Sequence, residues 1–189
     1  MKNLKTIAFA LLVVLGTSTT IAQNKKINVE KSKINWVGKK VTGQHSGTIN
    51  FADGTLVFKG KALKGGSFTV DMPSIIVTDL ETGKGKEKLE GHLKADDFFG
   101  TSKFATAKLT FKTIAKNNDN TYNVTADMNI KDVTAPVTFV FIVKGNTAST
   151  SFKIDRTKYG IKYGSGSFFD NLGDKAISDE FDLTVNLQF

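Results

Sequence analysis

At 189 residues, with no linker-like stretch, the chain suits one domain with a sizeable core. It has no cysteine, which excludes disulfides, thiolate metal sites and cysteine nucleophiles. The formal charge of +8 makes a basic surface, but the lysines are scattered and form no stripe interleaved with aromatics, so no nucleic-acid partner is expected. Transient contact with anionic lipid head groups at a membrane surface stays open.

Met1 to Gln23 reads as lying outside the fold, an export signal with Gln23 as the mature start. Lys2 and Lys5 make a basic start, and Ile7 to Leu15 is an apolar run too short to span a bilayer at ~20 residues. Thr20-Ile21-Ala22 offers small residues before a cleavage point. Residues 1–22 are therefore expected to be removed, leaving 23–189 as one barrel domain in the periplasm or secreted.

Beyond that point, period-2 alternation dominates. Ile34 and Trp36 begin it, and Gly43-Gln44-His45-Ser46-Gly47 reads as a turn. Ile49 and Phe51 are followed by Asp53-Gly54, read as a hairpin turn, then by Leu56 and Phe58 and a further turn at Lys64-Gly65-Gly66. Phe68, Val70 and Met72 share a face, and Pro73 is expected to stop or edge that strand. Gly83 to Gly100 breaks the pattern. Leu89, His92 and Leu93 stand at i, i+3 and i+4, which predicts a short helix with one inward face and with Lys86, Glu87, Lys88, Glu90 and Lys94 in solvent. Asp96-Asp97-Phe98-Phe99 ends it, and Gly100 permits the exit.

Leu109 and Phe111 resume the alternation, and Asn117-Asn118-Asp119-Asn120 is a polar turn. Tyr122, Val124, Ala126, Met128 and Ile130 then alternate strictly with polar residues. Val137 to Val143, with Phe139 and Phe141, is apolar on both faces, which predicts partial cover from outside. Phe152, Ile154 and Arg156 share a face; Gly160 to Gly173 is a Gly/Ser-rich loop carrying Tyr163, Phe168 and Phe169, read as mobile. Phe181, Leu183, Val185, Leu187 and Phe189 close the chain in alternation.

These eight or nine strands, with one helical insert near 80–99, make an all-β chain. Strands with one apolar face must close or stack to bury it and hide their edges. An antiparallel β-barrel of about eight strands is expected, either filled by side chains or holding one small ligand, with a sandwich as the competitor.

No catalytic set stands out. His45 and His92 lack metal-ligand spacing, Gly164-Ser165-Gly166-Ser167 is not a nucleophile elbow, and Gly83-Lys84-Gly85-Lys86 lacks phosphate-loop spacing. No catalytic residue, metal site or enzymatic activity is expected. Phenylalanine supplies 15 of the aromatics, against 3 Tyr and 1 Trp, and brings bulk without a polar handle. Phe51, Phe58, Phe68, Phe111, Phe139, Phe141 and Phe152 on inner faces, with Phe98 and Phe99 at one mouth, suit an apolar pocket or an ordinary core. His92 is either a core histidine or a polar group meeting a ligand's head. Arg156 either pairs with Asp96, Asp97 or Asp155, or meets a ligand carbonyl, phosphate or carboxylate.

Four segments carry a family resemblance: Trp36-Val37-Gly38-Lys39 with Gly43-Gln44-His45-Ser46-Gly47; Gly66-Ser67-Phe68-Thr69-Val70-Asp71-Met72; His92-Leu93-Lys94-Ala95-Asp96-Asp97-Phe98-Phe99; and Phe152-Lys153-Ile154-Asp155-Arg156-Thr157-Lys158-Tyr159-Gly160-Ile161. In this order they resemble the YceI-like family of exported, lipocalin-like polyisoprenoid-binding proteins. Two connections depart from it: Ala105 where Pro is frequent after the aromatic, and Asp132 where Gly is frequent. The resemblance implies an extended barrel whose tunnel holds an isoprenoid or other single-tailed lipid without chemistry, for storage, transport or stress response. It implies no cofactor beyond the lipid, such as an isoprenoid quinone or polyprenyl chain. It supports Trp36, Phe68, Leu89, His92, Leu93, Phe98, Phe99, Phe152, Arg156 and Tyr159 as fold or tunnel positions. With the other inner phenylalanines and Met128 these are the lipid-binding candidates, and the helix or the loop Tyr163 to Phe169 is the candidate gate. The rival readings are an outer-membrane-type transmembrane barrel, opposed by the scarcity of Trp and Tyr, and a filled barrel acting as a stress-response or interaction module. The oligomeric state stays open, a dimer included.

Overall fold

The computed structural model of the chain describes residues 22–118 and 120–189. Residues 1–21 of the expected export signal, and Asp119 of the polar turn, lie outside them. The chain forms β1 (Ala22–Lys26), β2 (Lys33–Lys40), β3 (Gly43–Lys59), β4 (Ala62–Val77), α1 (Lys86–Lys94), β5 (Thr106–Asn118), β6 (Thr121–Ile130), β7 (Val133–Lys144), β8 (Thr147–Asp155) and β9 (Ile177–Gln188). All strand neighbours are antiparallel. Because β2 pairs with both β3 and β9, strands β2 to β9 close into an eight-stranded barrel. The added strand β1 pairs with the end of β3 that runs past β2. Closure leaves no place for the competing sandwich.

Three expected turns are strand. Gly43 to Gly47 pairs with β2, Asp53-Gly54 lies inside β3 at a register shift, and Lys64-Gly65-Gly66 runs on through β4. Close packing puts glycine there. A Cβ on Gly54 would stand 2.6 Å from the Phe68 ring, one on Gly66 would stand 2.8 Å from Phe111, and one on Gly47 would strike the Ile76 carbonyl. Strands β3 and β4 are 17 and 16 residues long and need such bulges to coil around a barrel. Pro73 likewise does not end β4. It falls in an irregularity where the pairing with β3 jumps from Asp71 to Ile76, just past the last β5 partner. The β6–β7 turn is Lys131-Asp132, with φ of 51° and 61°. A two-residue hairpin of this kind needs left-handed backbone at both positions, which Asp accepts better than most residues, so the departure at Asp132 leaves the fold intact.

The outside of β7 is less covered than expected, with Val140 46% exposed. The backbone ladder between β7 and β8 runs only from Phe141 to Lys144. Its first part, including Pro136, has no β8 partner. There the 3₁₀ turn Arg156–Tyr159 packs against it, and Phe152 stacks on Phe139 with centroids 4.7 Å apart.

The helix is shorter than Gly83 to Gly100. Gly85 enters it in left-handed conformation (φ 101°), Leu93 is its buried residue, and Leu89 packs partly against the core. Glu90 is not free in solvent as expected: its carboxylate accepts the Val77 N–H at 2.8 Å and docks α1 on β4. Beyond Lys94 the chain turns back, and the Lys131 ammonium donates to the carbonyls of Asp96 (2.8 Å) and Phe98 (2.7 Å). That strap holds Phe98 and Phe99 over one end of the barrel. At the opposite end Leu56, Leu63, Tyr122, Val124 and Ala126 are 0–2% exposed and fill the interior.

Candidate functional site

Alternation sends every second side chain of a strand inward. In the half of the barrel under α1 these side chains do not fill the space. They leave a cavity of about 120 Å³ beneath the helix and one of about 60 Å³ deeper in. Both touch Ile34, Val70, Met128 and Leu183, a waist at which the two chambers meet. The upper chamber is capped by Leu93, Phe98 and Phe99 and walled by residues such as Trp36, Met72, Ile154 and Phe181. The lower one is ringed by Phe51, Phe68, Phe111, Phe139, Phe141 and Phe152. Phe111 holds that ring together, with centroids 5.7 Å from Phe68, 5.9 Å from Phe139 and 5.4 Å from Phe141. Phe111, Phe152, Phe181 and Leu183 line the chambers and are only half-buried. At ~10–15 Å³ per water-sized group, the two chambers accept about a dozen such groups in file.

Outside the cap lies an open cleft between α1, the β2–β3 hairpin and Tyr163. It shares Trp36, Leu93 and Phe98 with the upper chamber and so forms its antechamber. Its polar wall is basic: Lys39, Lys40, Lys84, Lys88, His45 and His92. Lys39 pairs with Asp182 at 2.5 Å, Lys84 with Glu81 at 2.6 Å, and the His45 ring with Asp79 at 2.9 Å. Burial works against the Asp79 carboxylate. The Ser46 N–H at 3.0 Å and His45 outweigh it and hold its pKa below the ordinary value.

Of the sequence candidates, Trp36, Leu93, Phe98, Phe99, Met128 and Arg156 line the upper chamber, and Phe51, Phe68, Phe111, Met128, Phe139, Phe141 and Phe152 the lower. Leu89 and His92 line the cleft. Phe58 and Tyr159 line neither chamber nor cleft. Phe58 packs on Phe189 at the filled end, and Tyr159 is buried beside β7. A reading weighted to phenylalanine passes over the aliphatic waist. Ile34, Val70 and Leu183 stand two residues from Trp36, Phe68 and Phe181 on the same strand faces, which is the signal that finds them.

Arg156 is 2% exposed and does not use Asp96, Asp97 or Asp155 as its partner. Its Nε donates to Ser178 O (2.9 Å), Nη1 to Ile161 O (2.9 Å) and Nη2 to Ile177 O (3.0 Å), and Asp179 lies 3.6 Å from Nη2. Asp155 instead caps the 3₁₀ turn, accepting from Thr157 N–H at 3.0 Å. Burial lowers the Arg156 pKa, opposed by the charges of Asp179 and Asp155. Burial also disfavours the Asp179 carboxylate, but Ser165, Ser167 and Arg156 more than offset it, and its pKa lies below the ordinary value. The Gly160–Gly173 loop is thus pinned at its base: Ser165 is fully buried, and Ile177 N–H donates to Gly164 O at 2.8 Å. It still presents Tyr163, Phe168 and Phe169, each 47–50% exposed. Among the described residues no cluster of His, Asp or Glu is placed to hold a metal ion.

The sequence profile of the YceI-like domain matches residues 26–189. A UPF0312 protein of Photorhabdus laumondii is 26% identical over 185 residues, covering 93% of this chain and 91% of that one. Another, from Shewanella denitrificans, is 29% identical over 92 residues, so the chain spans under half of that relative (46%). Among solved structures, Burkholderia cenocepacia BcnA superposes with a TM-score of 0.68 at 21% identity, covering 85% of this chain and 98% of that one. A polyisoprenoid binding domain from Saccharophagus degradans, implicated in plant cell wall breakdown, superposes with a TM-score of 0.58 at 14% identity, covering 86% and 95%. At these identities the two structures speak for the fold.

Proposed function

The chain belongs to the YceI-like domain family, and from its interior we propose that it is an exported carrier that holds one isoprenoid or other single-tailed lipid and performs no chemistry on it. The observation that carries this reading is the pair of apolar chambers meeting at Ile34, Val70, Met128 and Leu183, in a barrel whose other end is solid. The polyisoprenoid-binding domain among its structural neighbours supports the ligand class. The drive for binding is burial. At ~0.8 kcal/mol per methylene, a dozen buried groups offer roughly 10 kcal/mol before the cost of immobilising the chain. A tail of two or three isoprene units fits the tunnel as it stands, and a longer one runs on into the cleft.

The hollow speaks against a filled barrel acting as an interaction module. The outer wall speaks against a transmembrane barrel, because Lys112–Asp127 (3.3 Å) and Lys153–Glu180 (3.2 Å) put ion pairs where a lipid-facing band must be apolar. Native mass spectrometry of the purified mature protein, beside analysis of its organic extract, tests the reading. A discrete added mass matched by a lipid in the extract is expected. An apo mass that persists after incubation with isoprenoid quinones and fatty amides would overturn it. Export is tested separately, by N-terminal sequencing of protein recovered from the periplasm, with Gln23 expected first.

A further inference from the structure

Lysines that look scattered along the sequence are gathered by the fold. Strand direction alternates, so the β3–β4, β5–β6 and β7–β8 hairpins all turn at the filled end, where β1 and the segment after it join them. That half of the barrel, residues 22–33, 53–66, 111–127 and 142–148, holds ten lysines against four carboxylates. The rest of the chain from residue 34 on carries 14 basic and 14 acidic side chains. The whole positive surplus therefore sits at the filled end. Two of its carboxylates are paired, Asp53 with Lys26 at 4.0 Å and Asp127 with Lys112 at 3.3 Å. Lys31, Lys59, Lys61, Lys64 and Lys144 are exposed and have no ion pair among the described residues. Exposed apolar bulk lies at the other end, in Val41, Tyr163, Phe168 and Phe169; among the described residues the filled end shows only Val29, 38% exposed.

We propose that the filled end is a docking face for a bilayer rich in anionic lipid. A protein partner is held by desolvated aromatic or aliphatic anchors, and lysine is depleted from such interfaces. Lysines on hairpin tips with no anchor between them suit a broad sheet of mobile negative charge instead. Each lysine near such a surface raises partition roughly fivefold, and no side chain has to enter the hydrocarbon. Docked by this end, the barrel holds its hollow end and its exposed aromatics away from that bilayer. The face is remote from the tunnel, so this assignment and the carrier reading fail independently.

The full mature protein is mixed at low salt with vesicles of phosphatidylcholine, alone or with about one third phosphatidylglycerol, and the bound fraction is measured by sedimentation. Binding to the anionic vesicles only, released by high salt, is expected. The Lys59→Gln/Lys61→Gln/Lys64→Gln/Lys144→Gln variant is expected to bind at least about thirtyfold more weakly. The charge-matched Lys88→Gln/Lys158→Gln/Lys162→Gln/Lys175→Gln variant, in the hollow half, is expected to lose less than about threefold, because its lysines face away from the bilayer. Equal losses in the two variants make overall charge responsible and overturn the docking face. Binding that survives high salt, or that Phe168→Ser/Phe169→Ser abolishes, overturns it too, the second by putting the hollow end on the bilayer. A parent protein that ignores anionic vesicles overturns it outright.

Discussion

The two ends of the barrel are built from the same alternating strands but held together differently. At the filled end Leu56, Leu63, Tyr122, Val124 and Ala126 interlock, and Tyr122 Oη accepts the Leu63 N–H at 3.4 Å. At the hollow end the inner side chains border empty space, so neighbouring side chains cannot supply the dispersion contacts a packed core provides. Polar pins on the rim stand in for them. Arg156 ties three backbone carbonyls, Lys131 ties two, and Glu90 holds the Val77 N–H. A hollow barrel must keep a space open without letting its wall collapse, and hydrogen bonds at the rim fix shape without filling volume.

If that division is right, the largest loss of stability follows from a rim pin. Arg156→Met strands three carbonyls and the Asp179 carboxylate, and is expected to cost about 3–5 kcal/mol in urea unfolding. Leu56→Ala, in the filled end, is expected to cost about 3 kcal/mol. Leu183→Ala, at the waist, is expected to cost about 1 kcal/mol, because Leu183 already borders the cavity, and to admit bulkier tails. Equal costs for the two leucine variants would mean that the hollow half is closed in solution, and the comparison would fail.

A smaller effect sharpens the picture of the cap. Lys131→Met removes two hydrogen bonds to the segment that carries Phe98 and Phe99, for a cost of about 1 kcal/mol. The change belongs in that segment. Amide exchange at Phe99, Gly100 and Thr101 is expected to quicken, with bound lipid leaving faster, while exchange at Val124 stays as it was. Unchanged exchange at Phe99 would remove Lys131 from the gate.

Alternation made the strands and the inward faces legible, because a one-sided strand has few ways to bury its apolar side, and the i, i+3, i+4 spacing of Leu89, His92 and Leu93 did the same for the short helix. The glycines misled in a consistent direction. Gly47, Gly54 and Gly66 read as turns because turns are where isolated sequence expects glycine, whereas here a neighbouring strand occupies the space of a Cβ. That information is tertiary and absent from a local window. Arg156 shows the same limit: its burial could be foreseen from the strand face, but its partners are carbonyls near and on β9, more than twenty residues away in two of three cases. The phenylalanine count pointed to a wide interior without saying which half stayed empty. That depends on which layers receive Tyr122 and Leu63 and which receive Val70 and Leu183.

Tyr159 separates burial from bonding. It is fully inside the wall beside β7, yet its hydroxyl has no hydrogen-bond partner. Burial, with a smaller contribution from the Asp155 charge, pushes its pKa up to about 12. The unfolded phenol ionises near pH 10. The folded state therefore holds this proton more tightly than the unfolded chain does. The associated stability is fully present below pH 10 and drains away as the pH rises towards 12, at up to about 1 kcal/mol per pH unit. Tyr159→Phe removes no hydrogen bond, so at pH 7 it is expected to match the parent within about 0.5 kcal/mol. At pH 11 the variant should be the more stable of the two, since the lysine titrations common to both cancel in the difference. Urea unfolding of the pair at both pH values checks this. A marked loss at pH 7 would mean that the hydroxyl has a partner in solution, and the wall beside β7 would then be pinned by a polar contact of the kind seen at the rim.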